Sequence, residues 1–140
     1  MVAEVDLRIV SDPRWLRLVR SVVEGCCREF DPEGGDARAI VSALDEAVSN
    51  VIRHAYRGDA TKPIRIACRF DGRCFEIEIS DLGKEFDPLV QPVPPPDELR
   101  TGGRGLFLIR SSADACEYER DGKWNRLRLR KVVARSGGRL

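Results

Sequence analysis

The residues with the most chemical content are a carboxylate and a carboxamide one helical turn apart, Glu46 and Asn50, with His54 following at the same spacing. On a helix, steps of four place all three along one edge. A carboxylate there can take a proton from a water or hydroxyl, and a carboxamide oxygen can ligate a hard cation. Alone, such a pair reads as a solvated flank. Two further stations change that reading. Asp81-Leu82-Gly83 ends an apolar-faced stretch in a carboxylate followed by a glycine, and Gly102-Gly103-Arg104-Gly105 opens a short apolar segment.

Each station suits one part of a nucleotide. A strand-end aspartate can accept a hydrogen bond from an exocyclic amine such as that of adenine, and a glycine behind it lets a flat ring approach the backbone. A glycine-rich loop at a helix N-terminus offers N–H groups and the positive end of a dipole to phosphate. The base is therefore expected at Asp81, the phosphates at the glycine loop and a metal at Asn50. No Gly-Lys-Ser/Thr is present, which excludes a P-loop, and Gly102–Gly105 does not close a strand within a βαβ unit, which excludes a dinucleotide-binding fingerprint.

Positioning these groups requires a long helix. From Asp36 to Gly58 the apolar residues Ala37, Ile40, Val41, Ala43, Leu44, Ala47, Val48, Val51, Ile52 and Ala55 share one arc at helical spacing. Asp36 is the expected N-cap, and Gly58 the left-handed residue that stops the helix, giving a helix over 36–57. Upstream, Val2 to Val10 alternates as a strand. Ser11-Asp12-Pro13 then signals a helix start, and Arg14 to Phe30 carries Trp15, Leu16, Leu18, Val19, Val22, Val23, Cys26 and Phe30 as expected core.

After Gly58 the period becomes two. Pro63–Phe70 and Arg73–Asp81 flank Asp71-Gly72, a two-residue hairpin signal. A turn there pairs Phe70 with Arg73, Cys68 with Phe75, Ile66 with Ile77 and Ile64 with Ile79. It sets Arg65 opposite Glu78 and Arg69 opposite Cys74, and it separates Cys68 from Cys74 by face. A second hairpin is expected to turn at Asp121-Gly122, with Cys116 opposite Leu127 and Glu117 opposite Arg126. The arginines at 126, 128 and 130 alternate with leucines against acidic partners, so they read as a solvated strand face and not as a nucleic-acid surface. Between the hairpins, Pro88, Pro92, Pro94, Pro95 and Pro96 mark a lid over about 84–103, followed by a short helix over 106–112.

Length and composition bound the rest. A chain of 140 residues suits one domain. A net charge of +1 gives no field to draw nucleic acid or anionic membrane, and no apolar run reaches transmembrane length. Five cysteines with no C-x-x-C pair imply reduced thiols and a cytoplasmic location. The expected architecture is an α/β two-layer sandwich: a mixed, mainly antiparallel sheet covered on one face by helices, with Arg65, Glu76, Glu78, Glu117, Arg126 and Arg128 on the other.

Three segments together resemble a known family. Glu46-x-x-x-Asn50 with His54-Ala55-Tyr56, Asp81-x-Gly83-x-x-Phe86-Asp87-Pro88, and Gly103-Arg104-Gly105-Leu106-Phe107-Leu108-Ile109 are similar to the N, G1 and G2 boxes of the Bergerat-fold (GHKL) ATPases. Within them the chain most resembles the bacterial anti-sigma-factor serine-protein kinases, over roughly residues 7–132 of a single domain spanning 1–140. The resemblance implies ATP and Mg²⁺ as cofactors, Glu46 as catalytic base and Asn50 as the Mg²⁺ ligand. It further implies Asp81 on the adenine amine, Gly83 making room for the ring, and Gly103, Arg104, Gly105 and Leu106 in the phosphate loop beneath the lid. Arg104 would neutralise phosphate or face a partner protein; His54 would only pack or hydrogen-bond within its box. The implied activity is phosphorylation of a STAS-type anti-anti-sigma protein, coupled to sequestering a sigma factor, by a cytoplasmic homodimer without direct nucleic-acid or membrane contact. The alternative is a non-catalytic, ATP-responsive binding module of the same fold. Sensor histidine kinases fit less well, because the chain's single histidine, His54, lies inside the N box.

Overall fold

A computed structural model describes residues 3–30, 39–90 and 113–133. Strand β1 (Ala3–Val10) leads through a 3₁₀ turn (Pro13–Trp15) into helix α1 (Leu16–Phe30). The Asp12 side chain accepts from Arg14 N at 3.0 Å, so the expected start signal acts as a cap. Helix α2 (Ala39–Asn50) continues into a π-helical turn (Val51–Ala55), and strands β2 (Pro63–Phe70), β3 (Cys74–Asp81), β4 (Ala115–Asp121) and β5 (Trp124–Val132) follow. The strands form one sheet in the order β1-β2-β3-β5-β4, with every neighbouring pair antiparallel. The expected α/β two-layer sandwich is therefore present, its sheet wholly antiparallel among the described strands in place of the expected mixed, mainly antiparallel one.

The core lies between the sheet's inner face and the two helices. Val19, Val23, Cys26 and Cys27 of α1 and Ile40, Ala43, Leu44, Ala47 and Val48 of α2 cover Ile64, Ile66, Cys68, Phe75, Ile77, Ile79 and Leu129. Trp15 and Leu18, expected in this core, are instead 39% and 45% exposed. The buried stripe of α1 runs through positions 19, 23, 26 and 27, which turns Leu18 outward, while Trp15 sits in the 3₁₀ turn before that stripe begins. On the opposite sheet face Arg69 bridges Glu4, Glu76 and Glu78, and Arg128 joins Glu78 to Glu117 and Glu119. This is the charged outer face the alternation predicts.

Both hairpins pair two residues away from the expected register. Phe70 faces Phe75, Cys68 faces Ile77, Ile66 faces Ile79 and Ile64 faces Asp81; Arg65 meets Ser80 and Arg69 meets Glu76. Cys116 faces Leu129 and Glu117 faces Arg128. The aspartate ends the strand and the glycine takes the first central turn position. Asp71 Oδ1 accepts from Arg73 N at 2.9 Å and Cys74 N at 2.7 Å, which requires Asp71 to precede the turn. Gly72 and Gly122 have φ of 93° and 65°, while neither Arg73 nor Lys123 has a positive φ, so the glycine takes the left-handed position of each turn. A slip of two keeps every side chain on its face.

The central helix also differs from its expected extent. It is α-helical only to Asn50; the next turn bonds Tyr56 N to Val51 O at 2.8 Å, a five-residue step. Arg57 and Gly58 then adopt left-handed φ of 52° and 84°, so Gly58 does mark the end. The expected N-cap Asp36 lies outside the described residues.

Candidate functional site

The π turn adds one residue to the end of the central helix, so Ala55 and Tyr56 both point inward, at 7% and 8% exposure. The Tyr56 hydroxyl donates to Pro63 O and accepts from Leu82 N at 2.8 Å, tying the helix end to the start of β2 and the end of β3. Between this helix end and the last row of the sheet's inner face lies a narrow cleft of about 20 Å³. Asn50, Val51 and Ala55 form its helical wall, Ile79, Asp81, Tyr118 and Leu127 its floor, and Phe86 and Pro88 one rim. Its lining is apolar with two converging polar groups, Asn50 and Asp81, the kind of chemistry a flat heterocycle meets.

Asp81 is the carboxylate in that slot, 5% exposed. Its Oδ1 accepts from Gly83 N at 2.8 Å and from Asn125 Nδ2 at 2.9 Å. Both bonds use one oxygen, and Oδ2 accepts no hydrogen bond among the described residues. Burial raises the Asp81 pKa above its ordinary value, opposed by the hydrogen bonds from Asn125 and Gly83 and by the charge of Arg120.

Asn50 is equally enclosed, at 5% exposure. Its Nδ2 is buried with no hydrogen-bond partner among the described residues. Such an orphan costs free energy unless a ligand completes it. Its Oδ1 accepts from Arg53 Nη2 at 3.1 Å, and the same Nη2 lies 2.8 Å from Glu46 Oε2. Glu46 does not line the cleft. It faces an adjoining groove of about 300 Å³ with Pro13, Leu16, Ser49, Ile52 and Arg53. Thus Glu46 and Asn50 stand on the expected helix edge but open onto two neighbouring spaces, with Arg53 as the wall between them. No cluster of three or more His, Cys, Asp or Glu side chains poised for a metal occurs among the described residues. A cation here would lean on the Asn50 amide oxygen and on oxygens of its ligand, which fits the sparse protein ligation of Mg²⁺ at phosphate sites.

Gly83 is required by its surroundings. A Cβ at this position would lie 2.5 Å from the Ala55 carbonyl oxygen, and Lys84 N donates to that same oxygen at 2.9 Å. The side chain it forgoes would strike the helix end that walls the cleft. His54, the third residue of the edge, is exposed and stacks on Phe86 with ring centroids 4.4 Å apart at 16°. Its packing role agrees with the sequence reading. Gly103, Arg104, Gly105, Leu106, the helix over 106–112 and the lid beyond Val90 lie outside the described residues.

Four contributors were not singled out from the sequence: Arg53, Tyr118, Arg120 and Asn125. One signal was available. Asn125 falls two residues before Leu127 and four before Leu129 in the alternation, so a carboxamide occupies an inward position where the pattern asks for an apolar side chain. Tyr118 and Arg120 share the inward parity of Cys116, and the Tyr118 hydroxyl accepts from Phe86 N at 3.2 Å. Arg53 belongs to the polar arc, where nothing marks one arginine from another.

A family model described as the histidine kinase-like ATPase domain matches residues 9–131. The chain is 34% identical over 90 residues to the serine/threonine-protein kinase BtrW of Bordetella bronchiseptica, covering 61% of this chain and 63% of that protein. It is 30% identical over 120 residues to a serine-protein kinase RsbW of Staphylococcus epidermidis, covering 79% and 75%. The chain thus spans between about three fifths and three quarters of the length of these relatives. Among solved structures, one holding the RsbU and RsbW domains of a Mycobacterium tuberculosis protein superposes on 91% of this chain and 32% of its own, with a TM-score of 0.67 at 17% identity. That likeness speaks for the fold. No helix among the described residues is long and apolar enough to cross a membrane.

Proposed function

Because the chain belongs to the histidine kinase-like ATPase domain family, and the relatives it matches carry the name serine-protein kinase, we propose that it is an ATP-dependent serine/threonine-protein kinase. The observation that carries this reading is the pairing of two buried, incompletely bonded polar groups on facing walls of one apolar cleft. Among the described residues, one carboxylate oxygen of Asp81 accepts no hydrogen bond, and Asn50 Nδ2 is buried without a partner. Adenine would enter the slot with its amine on Asp81. Mg²⁺ would rest on the Asn50 amide oxygen together with phosphate oxygens; once bound it neutralises charge on the transferring phosphoryl group.

Glu46, in the adjoining groove, is the proposed base. It would accept or orient the proton of an incoming hydroxyl, which reaches it from the α1 side while the nucleotide lies on the other side of Arg53. The substrate is a STAS-type anti-anti-sigma protein, and the kinase also sequesters a sigma factor, as a homodimer in the cytoplasm. Gly103, Arg104, Gly105 and Leu106 are proposed to carry the phosphates.

Calorimetry with Mg·ATP tests the nucleotide reading. Asp81→Ala should cost about 1–3 kcal/mol in ATP affinity, the range for losing a buried hydrogen-bond partner. Asn50→Ala should weaken Mg·ATP more than metal-free ATP. Equal ATP and GTP affinity in the wild type would remove the adenine assignment. A chain that binds Mg·ATP and a STAS partner but transfers no phosphate is the binding module instead.

A further inference from the structure

The last inward-facing row of the sheet, apolar at Ile9 and Ile64, turns polar on β3, β5 and β4. Asp81 on β3, Asn125 on β5 and Arg120 on β4 are direct cross-strand neighbours, where the rows before them present Ile79, Leu127 and Tyr118. Asn125 is the middle member and 1% exposed. A carboxamide at that depth is costly unless each end is bonded, and here both are. Its Nδ2 donates to Asp81 Oδ1 and to Gly83 O, both at 2.9 Å, and its Oδ1 accepts from Arg120 Nη1 at 2.8 Å.

Two acceptors on one side and a cationic donor on the other fix which way the amide faces. Turned over, its carbonyl would oppose a carboxylate and a backbone carbonyl, and its NH₂ would oppose a guanidinium. The fixed amide in turn fixes the carboxylate. A lone buried carboxylate can rotate and present either oxygen, but Asp81 Oδ1 is held from two directions by Gly83 N and Asn125 Nδ2.

We propose that Asn125, anchored by Arg120, is the positioning residue for base recognition: it pins one oxygen of Asp81 and leaves the other in the cleft as an acceptor-only group. The site then takes a purine bearing an exocyclic amine and rejects one bearing a carbonyl at that position. This rests on the reading of Asp81 as the group that meets the base. Rejection follows because a carbonyl set against an ionised carboxylate leaves two acceptors facing each other without a proton. Burial works against this arrangement by favouring the protonated carboxyl, and the Asn125 hydrogen bond is the first of the contacts that oppose it.

Two substitutions separate the role from mere packing. Asn125→Asp keeps the shape but sets a second carboxyl against Asp81. Two carboxyls at this distance share a proton, which supplies an O–H donor that a 6-oxo purine can use. Arg120→Met acts from an exposed position and removes the donor that fixes the amide, together with a longer bond to Gly83 O at 3.4 Å and a positive charge near Asp81.

The experiment measures Kd for Mg·ATP and Mg·GTP on the purified full chain, with circular dichroism and a thermal melt for each variant. The wild type should prefer ATP. Asn125→Asp should lower the ATP-to-GTP ratio by roughly tenfold, the equivalent of about one hydrogen bond. Arg120→Met should lower it in the same direction by less. A wild type without preference would overturn the reading of Asp81 itself. A wild type that prefers ATP, with a folded Asn125→Asp that keeps the ratio, would overturn this inference alone. Should Asn125→Asp not fold, an unchanged ratio in Arg120→Met overturns it equally.

Discussion

Arg53 Nη2 stands 2.8 Å from Glu46 Oε2 and 3.1 Å from Asn50 Oδ1, so one guanidinium holds the candidate base and the candidate metal ligand at once. The Arg53 and Glu46 side chains are 48% and 18% exposed, which keeps the pair in contact with water. An ion pair of that kind contributes between about 0 and 1 kcal/mol to stability. Its interest is chemical: the guanidinium links a carboxylate that lines the groove beside α1 to a carboxamide that lines the neighbouring cleft.

Glu46→Gln should therefore separate catalysis from folding. Single-turnover phosphotransfer to a STAS partner should fall by about 10²–10⁴-fold, the usual contribution of a positioned base. ATP affinity should hardly change, and the unfolding free energy should move by no more than about 1 kcal/mol. Transfer at the wild-type rate would show that Glu46 is no base.

Gly83 offers a test of the cleft's construction. In Gly83→Ala the new Cβ would lie 2.5 Å from the Ala55 carbonyl oxygen and 2.7 Å from its carbon, so backbone must shift. We expect a loss of about 1–3 kcal/mol in stability, the range for overpacking a tight site, with ATP affinity falling alongside. A chemical denaturation series would measure the first. An unchanged midpoint would mean that the contact between β3 and the helix end is looser than the geometry states.

Asp81 ties stability to pH with a definite sign. Burial raises its folded pKa above the ordinary carboxylate value. A raised carboxyl contributes stability that is fully present below the unfolded pKa and lost as pH rises through the folded one. Asp81→Asn lacks that titration. Its stability relative to wild type should rise with pH from just above the ordinary carboxylate range and level off beyond the folded pKa. Denaturant midpoints across that window would check it; a difference that is flat or falls with pH contradicts the burial argument.

The thiols give a prediction independent of nucleotide. None of the five cysteines is in a disulfide. Cys26, Cys27 and Cys68 are buried between α1 and β2, while Cys74 and Cys116 are half-buried. The Cys68 thiol hydrogen-bonds to the Cys26 sulfur, which brings Cys26 down to about 7, and the same bond together with burial pushes Cys68 up. Thiol counting on denatured protein kept from air should find all five. On native protein, Cys74 and Cys116 should label first, because burial shields Cys26 despite its lower pKa. A pair missing after denaturation would mean that a bridge forms.

The sequence by itself determined the layers and the edge of the site. Period-two alternation put Ile64, Ile66, Cys68, Phe75, Ile77 and Ile79 on one face, and helical spacing buried Ile40, Leu44, Ala47 and Val48. These patterns survive because a strand's faces repeat every two residues and a helix's arc is wide. The same tolerance hid the register. A slip of two residues leaves every face intact, so only the turn decided it, through Asp71 reaching forward to Arg73 N and Cys74 N. The spacing Glu46, Asn50, His54 was legible as an edge, but it assumed an unbroken helix. The π turn after Asn50 altered the phase, bringing Tyr56 into the core beside the expected Ala55 and leaving His54 outside against Phe86. Asn125 and Arg53 carry no local signature of their partners. Asp81 and Asn125 lie on different strands, and Arg53 is one of several surface arginines. Only folding β3 against β5, and coiling residues 46–53 so that Glu46 and Asn50 meet at one nitrogen of Arg53, gives those residues their roles.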